Sequence, residues 1–223
     1  MASTRLGNAT IHHNSDLCAI IVMRGVDARK IMAIETPVRL TVEEYLAWEE
    51  TNFEKHEYID GEVRCMAGAK GTHNRIMSNT NTAIGRQLDD SDCFLLSSEM
   101  RVQAAETRFV YPDLSAVCGE GEYARDNEME LVNPLLVIEV TSPSTMHIDR
   151  GEKMDLYFDV PSIQAYLIID QHRVCAELSI RANAGWQTTS YEDLDDIVPL
   201  EALNCNLPMT QVYRGIQFQA PPD

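Results

Sequence analysis

The sequence lacks several features that would assign it to a common class of protein. Its 223 residues contain no internal repeat, no glycine-rich phosphate loop and no apolar run near the roughly 20 residues that a membrane-spanning helix needs. Its six cysteines include no Cys-x-x-Cys pair, which argues against a zinc site or a disulfide frame. We therefore expect a cytoplasmic protein with reduced, buried thiols and no association with a membrane.

Basic residues are also scarce. The chain has 18 Lys and Arg against 35 Asp and Glu, which gives a net charge of −17. Proteins that hold DNA through its phosphates present Lys and Arg, so this composition disfavours sequence-independent binding to a duplex. A solvated acidic surface that promotes solubility explains most of the charge. A local basic strip, and partial neutralisation of clustered carboxylates by Mg²⁺, remain open alternatives.

Two apolar stretches of strand length, at 110–118 and 134–145, each contain one carboxylate. Asp113 follows Pro112 at a strand entrance, and Glu139 lies inside a run that is typical of a buried strand. A buried carboxylate is costly unless it is paired or binds a metal. Strands that bring Asp113 and Glu139 together would form an oxygen-rich site for Mg²⁺. The alternative is that Glu139 pairs with an arginine and Asp113 caps a turn.

These residues carry a resemblance to a known family. Pro112-Asp113 followed by Glu139-Val140 resembles the nuclease superfamily with the signature Pro-Asp…(Asp/Glu)-x-Lys. Over about residues 40–215, the chain is similar to the Uma2 family of proposed restriction endonucleases. The matching segments, whose order and spacing make the combination specific, are 41–46, 56–63, 73–74, 111–114, 137–145, 149–153 with Tyr157, and 166–170.

The resemblance implies an α/β (α+β) fold with a restriction-endonuclease-like core. We expect a mixed central β-sheet flanked by helices, with an N-terminal helix and a hairpin. The expected organisation is an N-terminal extension at 1–31, an endonuclease-like domain at 32–215 and a tail at 216–223. The implied activity is hydrolysis of phosphodiester bonds in DNA by a homodimer that uses Mg²⁺ or Mn²⁺.

The resemblance also implies roles for individual residues. Asp113, Glu139 and the carbonyl of Val140 are the expected metal ligands. The signature places a lysine two residues after the acidic one, where this chain has Thr141. The resemblance moves the lysine function to the following helix, where Lys153 stands.

Lys153 and three further groups each have a second interpretation. Lys153 could instead form a surface ion pair with Asp149, four residues earlier. Glu57 is expected in the catalytic set, and its alternative is a surface glutamate beside Lys55. His73 is a possible substrate contact, although a lone histidine is more often structural or solvated. Ser142 and Thr145 are further possible substrate contacts.

Local signals predict the elements around these residues. Thr41 and Glu44 form a capping box, which predicts a helix that ends near residue 52. Asp60-Gly61 is a turn dipeptide that predicts a hairpin over 56–67.

Two other segments are predicted by polarity and spacing. Residues 72–88 are expected to form a helix capped by Thr72 or Asn74. The acid-rich segment 119–133 is expected to be a solvated connector or a flap over the site.

Two other functions compete with a nuclease. The acidic charge and the displaced lysine favour a non-catalytic protein that uses the same scaffold for binding or assembly. A hydrolase with Cys118 or Cys175 as nucleophile and His73 as base is weaker, because neither cysteine lies in a recognisable nucleophile context.

Overall fold

The computed structural model describes residues 39–66, 68–141 and 146–218. The extension expected at 1–31 lies outside the described residues, as do Ser142, Thr145 and residues 219–223 of the expected tail. The predicted domain boundaries therefore stay predictions. Within the described ranges, no helix is both long and apolar enough to cross a membrane.

The chain alternates short helices and strands. The helices are α1 (Val42–Glu49), α2 (Gly71–Leu88), α3 (Met146–Asp149), α4 (Glu152–Asp159) and α5 (Met209–Val212), with a 3₁₀ turn at Glu201–Leu203. The first strands are β1 (His56–Ile59), β2 (Glu62–Cys65), β3 (Cys93–Ser97), β4 (Arg101–Ala105), β5 (Arg108–Val110), β6 (Leu114–Cys118) and β7 (Glu130–Leu131). The remaining strands are β8 (Leu136–Thr141), β9 (Ala165–Asp170), β10 (Ala176–Ala182), β11 (Gly185–Tyr191), β12 (Ile197–Leu200) and β13 (Cys205–Pro208).

A mixed sheet of six strands, in the order β11-β10-β9-β8-β6-β3, forms the centre of the fold. Strands β8 and β9 are parallel, and their crossover contains α3 and α4, as a parallel pair requires. The prediction of a mixed central sheet with flanking helices is therefore confirmed. A second sheet of five strands, β2-β1-β5-β4-β7, was not predicted as a separate layer. It arises because the β1–β2 and β4–β5 hairpins join through β1 and β5.

Alternation along β8 decides which helix faces each side chain. Leu136, Ile138 and Val140 pack in the core cluster that contains α2, whereas Val137 packs in the cluster that contains α4. Successive side chains of a strand point to opposite faces, so Glu139 lies on the same face as Val137. This register directs the carboxylate of Glu139 towards α4.

The local predictions hold near the N-terminal end of the described chain. The Thr41–Glu44 capping box is present, although α1 ends at Glu49 and not near residue 52. The hairpin is confirmed, with Asp60 and Gly61 both at positive φ in its turn.

The predicted caps of α2 are wrong. Its N-cap is Lys70, and no side chain caps its first turn. Asn74 Nδ2 instead donates to the carbonyl of Lys70 at 3.3 Å, from inside the helix.

The segment 119–133 is not simply a solvated connector. Glu130 is fully buried and pairs with Arg101 and Arg125, and Glu130–Leu131 forms a strand parallel to β4. A fully buried carboxylate needs such partners. The prediction missed this burial because Arg101 lies 29 residues before Glu130, and the sequence does not show that it and the nearby Arg125 converge on this carboxylate.

The prediction of reduced thiols is wrong for Cys93, Cys118 and Cys65, which are disulfide-bonded. Cys93 and Cys118 lie directly opposite each other on β3 and β6 and form a disulfide. Cys175 and Cys205 are free and buried, as expected. Burial raises the pKa of the Cys175 thiol, which suppresses its nucleophilic form. The cysteine hydrolase hypothesis thus loses both of its nucleophiles.

Candidate active site

Neighbouring strands bring Asp113 and Glu139 together. Asp113 immediately precedes β6, and the pairing of Leu114 with Ile138 sets it beside Glu139 on β8. The backbone N–H of Asp113 donates to Oε2 of Glu139 at 3.4 Å, and the N–H of Val140 donates to Oδ2 of Asp113 at 2.7 Å. Two carboxylates that are distant in the sequence therefore share one corner of the central sheet.

Lys153 on α4 supplies a cation at this corner. Its Nζ lies 3.1 Å from Oε1 of Glu139 and 2.8 Å from Oε1 of Glu57. Lys153 is only 8% exposed and Glu57 only 9% exposed, so the two surface interpretations are wrong. Lys55, the suggested neighbour of Glu57, instead pairs with Glu99.

Tyr157 is a further member of the site that the sequence analysis did not assign. Its hydroxyl donates to Oε1 of Glu139 at 3.0 Å, and the side chain is fully buried. Tyr157 follows Lys153 by one helical turn, so both side chains lie on the same face of α4. That spacing was a signal in the sequence, because it predicts that a residue one turn from Lys153 reaches the same partners.

Burial and neighbouring charges have opposing effects on the pKa of Glu139 and on that of Lys153. Burial raises the pKa of Glu139, Asp113 adds to the rise, and Lys153 opposes it. Burial by itself lowers the pKa of Lys153, but Glu139 and Glu57 outweigh it, so the pKa lies above the usual lysine value. The ammonium form of Lys153 is therefore favoured. The pKa of Glu139 stays raised, because the nearby positive charge of Lys153 does not offset its burial.

His73 joins the site from the first turn of α2. Its Nε2 lies 3.0 Å from Oδ2 of Asp113, and its Nδ1 is a buried atom with no hydrogen-bond partner among the described contacts. The N-terminus of an 18-residue helix thus faces the carboxylate corner. A helix N-terminus favours negative charge, so this turn suits either the Asp113 carboxylate or a phosphate close to it.

The carboxylate oxygens of Asp113 and Glu139 suit a hard divalent cation whose remaining ligands are water and substrate phosphate. In the part of the chain that the structure describes, no three His, Cys, Asp or Glu side chains are arranged to hold an ion by themselves. Magnesium sites commonly use one or two carboxylates and complete their shell with water and substrate phosphate. Glu139 and Glu57 share one lysine, and Asp113 contacts His73, so a divalent ion would supply further positive charge.

Comparison with known proteins identifies the family. A family model described as Uma2, putative restriction endonuclease, matches residues 42–210. The chain belongs to the Uma2 family. An uncharacterised protein of Synechocystis sp., slr1290, is 34% identical over 182 residues, which is 81% of this chain and 94% of that protein. A second uncharacterised Synechocystis protein, sll1609, is 35% identical over 142 residues, covering 63% of this chain and 80% of that protein.

A solved structure shares the Uma2 fold. The crystal structure of a putative nuclease belonging to DUF820 from Anabaena variabilis aligns with a TM-score of 0.65 over 78% of this chain and 97% of that one. At 18% identity, the likeness shows the fold alone. The predicted family and fold class are therefore confirmed, while the roles of individual residues stay predictions.

Proposed function

We propose that this Uma2 protein is a divalent-metal-dependent endonuclease that hydrolyses phosphodiester bonds in DNA. The observation that carries the proposal is the convergence of Asp113, Glu139 and Lys153. Carboxylates beside a protonated lysine meet the main electrostatic needs of phosphodiester hydrolysis, which are a place for a cation and positive charge near the transition state.

In this proposal, Asp113, Glu139 and the carbonyl of Val140 hold Mg²⁺ or Mn²⁺. When bound, such an ion offsets charge on the scissile phosphate and lowers the pKa of a coordinated water. Asp113 is held for this role by the Val140 N–H, and Glu139 is held by Tyr157. These hydrogen bonds fix the carboxylate orientations before an ion arrives, as partners of metal ligands do in known sites.

Lys153 and Glu57 act as a pair. Glu57 anchors the lysine from the five-stranded sheet, while Nζ stays within 3.1 Å of Glu139. A preorganised ammonium group in a water-poor site stabilises negative charge that develops on a phosphate. Its raised pKa keeps it charged for that purpose at neutral pH.

DNA would approach at the first turn of α2. Lys70 and Arg75 are exposed there, and that turn contains no acidic residue, which makes it locally favourable for phosphate despite the acidic chain. His73 is the proposed substrate contact, together with Ser142 and Thr145. Binding through so few basic groups predicts weak affinity that falls as salt is raised.

The deciding experiment compares Asp113→Asn with the parent on supercoiled plasmid, with Mg²⁺, Mn²⁺ or excess EDTA. Mutating even an outer partner of a metal ligand costs roughly 10- to 100-fold, so we expect Asp113→Asn to lower cleavage at least about a hundredfold. Asp60→Asn is the matched control, because Asp60 pairs with Arg108 at the surface. Equal cleavage by Asp113→Asn and the parent would overturn the assignment.

Cutting both strands of a duplex in a single encounter needs two sites, so we propose that the active form is a homodimer. Light scattering of the purified chain, with and without a short duplex, tests this. A monomer that cuts both strands would contradict it.

A non-catalytic binding or assembly protein is the second candidate, and the net charge of −17 favours it. It predicts no cleavage at any salt concentration and no rise in melting temperature with Mg²⁺ or Mn²⁺. A metal-dependent rise that Asp113→Asn abolishes would count against it.

A further inference from the structure

Glu49 is a buried carboxylate outside the proposed catalytic set. Glu49, at the end of α1, is 7% exposed and accepts three hydrogen bonds. Its Oε1 accepts from the backbone N–H of His56 at 2.8 Å and from the hydroxyl of Tyr111 at 3.0 Å. Its Oε2 lies 2.9 Å from Nδ1 of His56.

Both partners of Glu49 lie within two residues of a site residue in the sequence. His56 immediately precedes Glu57, and Tyr111 begins the Tyr111-Pro112-Asp113 segment. The N–H of Tyr111 also reaches Oε1 of Glu57 at 3.5 Å, which closes the connection between the two segments. The carboxylate of Glu49 therefore connects the chain segment that contains Glu57 to the segment that contains Asp113.

We propose that Glu49 is a positioning residue that sets the separation of Glu57 and Asp113 through His56 and Tyr111. The inference deepens the proposed function and rests on it for its catalytic meaning. We call Glu49, His56 and Tyr111 the clamp; among the described contacts, its side chains bond to none of Asp113, Glu139 and Lys153.

Arg101 stabilises the clamp through a hydrogen bond to Tyr111. Its Nη1 donates to the hydroxyl of Tyr111 at 3.3 Å, and its Nη2 pairs with buried Glu130. Hydrogen-bonded groups in a low-dielectric interior reinforce each other, so this arrangement fixes the orientation of the Tyr111 ring. A ring that is fixed at both its hydroxyl and its backbone leaves the following Pro112-Asp113 little freedom.

Three backbone amides report on the positions of the site carboxylates without any assay of activity. The N–H of Tyr111 donates to Glu57, the N–H of Asp113 donates to Glu139, and the N–H of Val140 donates to Asp113. Their hydrogen exchange, followed by NMR on the full chain, measures how firmly those carboxylates are held.

Tyr111→Phe removes the hydroxyl that bonds to Glu49 and retains the ring and the amide. Tyr58→Phe is the matched control, since the Tyr58 hydroxyl donates to the carbonyl of Leu40 and not to the clamp. A lost hydrogen bond of this kind corresponds to about tenfold in an opening equilibrium. We therefore expect about tenfold faster exchange at the three reporter amides in Tyr111→Phe and no change there in Tyr58→Phe.

Substitution of Glu49 itself separates geometry from general destabilisation. The amide oxygen of Glu49→Gln can still accept from His56 N–H and Tyr111, so reporter protection should stay near that of the parent. Glu49→Ala removes the acceptor, and its reporters should exchange faster, whereas the amide of Leu178 in the distant strand β10 should not. Equal protection in Tyr111→Phe and the parent overturns the proposal. Equal loss in Tyr58→Phe, or unprotected reporters in the parent, does so too.

The cleavage assay separates the two proposals. If the parent cuts DNA, Tyr111→Phe should lower kcat and leave KM unchanged, because the clamp does not touch the substrate. If the parent does not cut, the proposed function fails, while the exchange experiment still decides whether Glu49 positions the two carboxylates.

Discussion

Lys153 on α4 lies 2.8 Å from Glu57 on the five-stranded sheet and 3.1 Å from Glu139 on the six-stranded sheet. One ammonium group therefore joins carboxylates from the two sheets. The same contact neutralises part of the charge at the candidate site, so we expect Lys153 to support both stability and the proposed catalysis.

Lys153→Met should reduce both properties. Breaking a buried ion pair leaves uncompensated charge and costs about 3–5 kcal/mol, so we expect the free energy of unfolding in urea to fall by about that amount. Cleavage should be lost as well. Lys55→Met is the control, because Lys55 is only partly buried and its partner Glu99 is 81% exposed, so this ion pair contributes at most about 1 kcal/mol. Equal stability of Lys153→Met and Lys55→Met would contradict the structural role of Lys153.

The hydroxyl of Tyr157 tests whether orientation of Glu139 matters. Tyr157→Phe removes the donor to Oε1, and Tyr166→Phe removes an equally buried hydroxyl that bonds to the carbonyl of Asp149. Each should cost about 1 kcal/mol of stability. Tyr157→Phe should also weaken Mn²⁺ binding, measured by calorimetry, by roughly tenfold. If both variants bind Mn²⁺ equally, Tyr157 has only a structural role.

Arg181 fixes the end of the helix that carries Lys153. Its guanidinium donates to the carbonyls of Phe158, Val160 and Ile163 at distances of 2.7–3.0 Å. It also lies over the ring of Trp186. Carbonyls in the last turn of α4 and just after it therefore share one donor.

Arg181→Lys keeps the charge but cannot reach all of these carbonyls. Hydrogen bonds to charged groups are worth about 1.5–3 kcal/mol, so we expect a loss in that range during urea unfolding. Arg173→Lys, at an exposed ion pair with Glu192, should change stability by less than about 1 kcal/mol. A negligible effect of Arg181→Lys would show that α4 is held by packing alone.

Local signals in the sequence predicted the elements that carry the site, but not their mutual contacts. The Thr41–Glu44 capping box and the hairpin are encoded within a few residues and were predicted correctly. The pairing of α4 with the face of β8 that carries Glu139 depends on strand register, which the residues alone did not fix. Recognition of the family supplied Lys153, whereas Glu49 was missed because nothing in its neighbourhood distinguishes a buried glutamate from an exposed one.

The pair of Arg101 and Glu130 gives a stability that depends on pH. Burial alone would raise the pKa of Glu130, but hydrogen bonds from Arg125 and Arg101 outweigh it and hold the pKa below the usual value. A group with a lowered folded pKa stabilises fully above its unfolded value, which is about 4.3 for glutamate. That contribution is lost as the pH falls through the folded pKa.

Glu130→Gln should therefore be destabilised most at neutral pH. Removing one partner of a buried pair costs about 3–5 kcal/mol, which urea unfolding at pH 7 should show. The difference from the parent should shrink as the pH is lowered below about 4, because the parent then protonates Glu130 and loses the same charge. Glu122→Gln, at an exposed glutamate of the same segment, should follow the parent at every pH. A difference between Glu130→Gln and the parent that stays constant with pH would show that the carboxylate contributes by shape and not by charge.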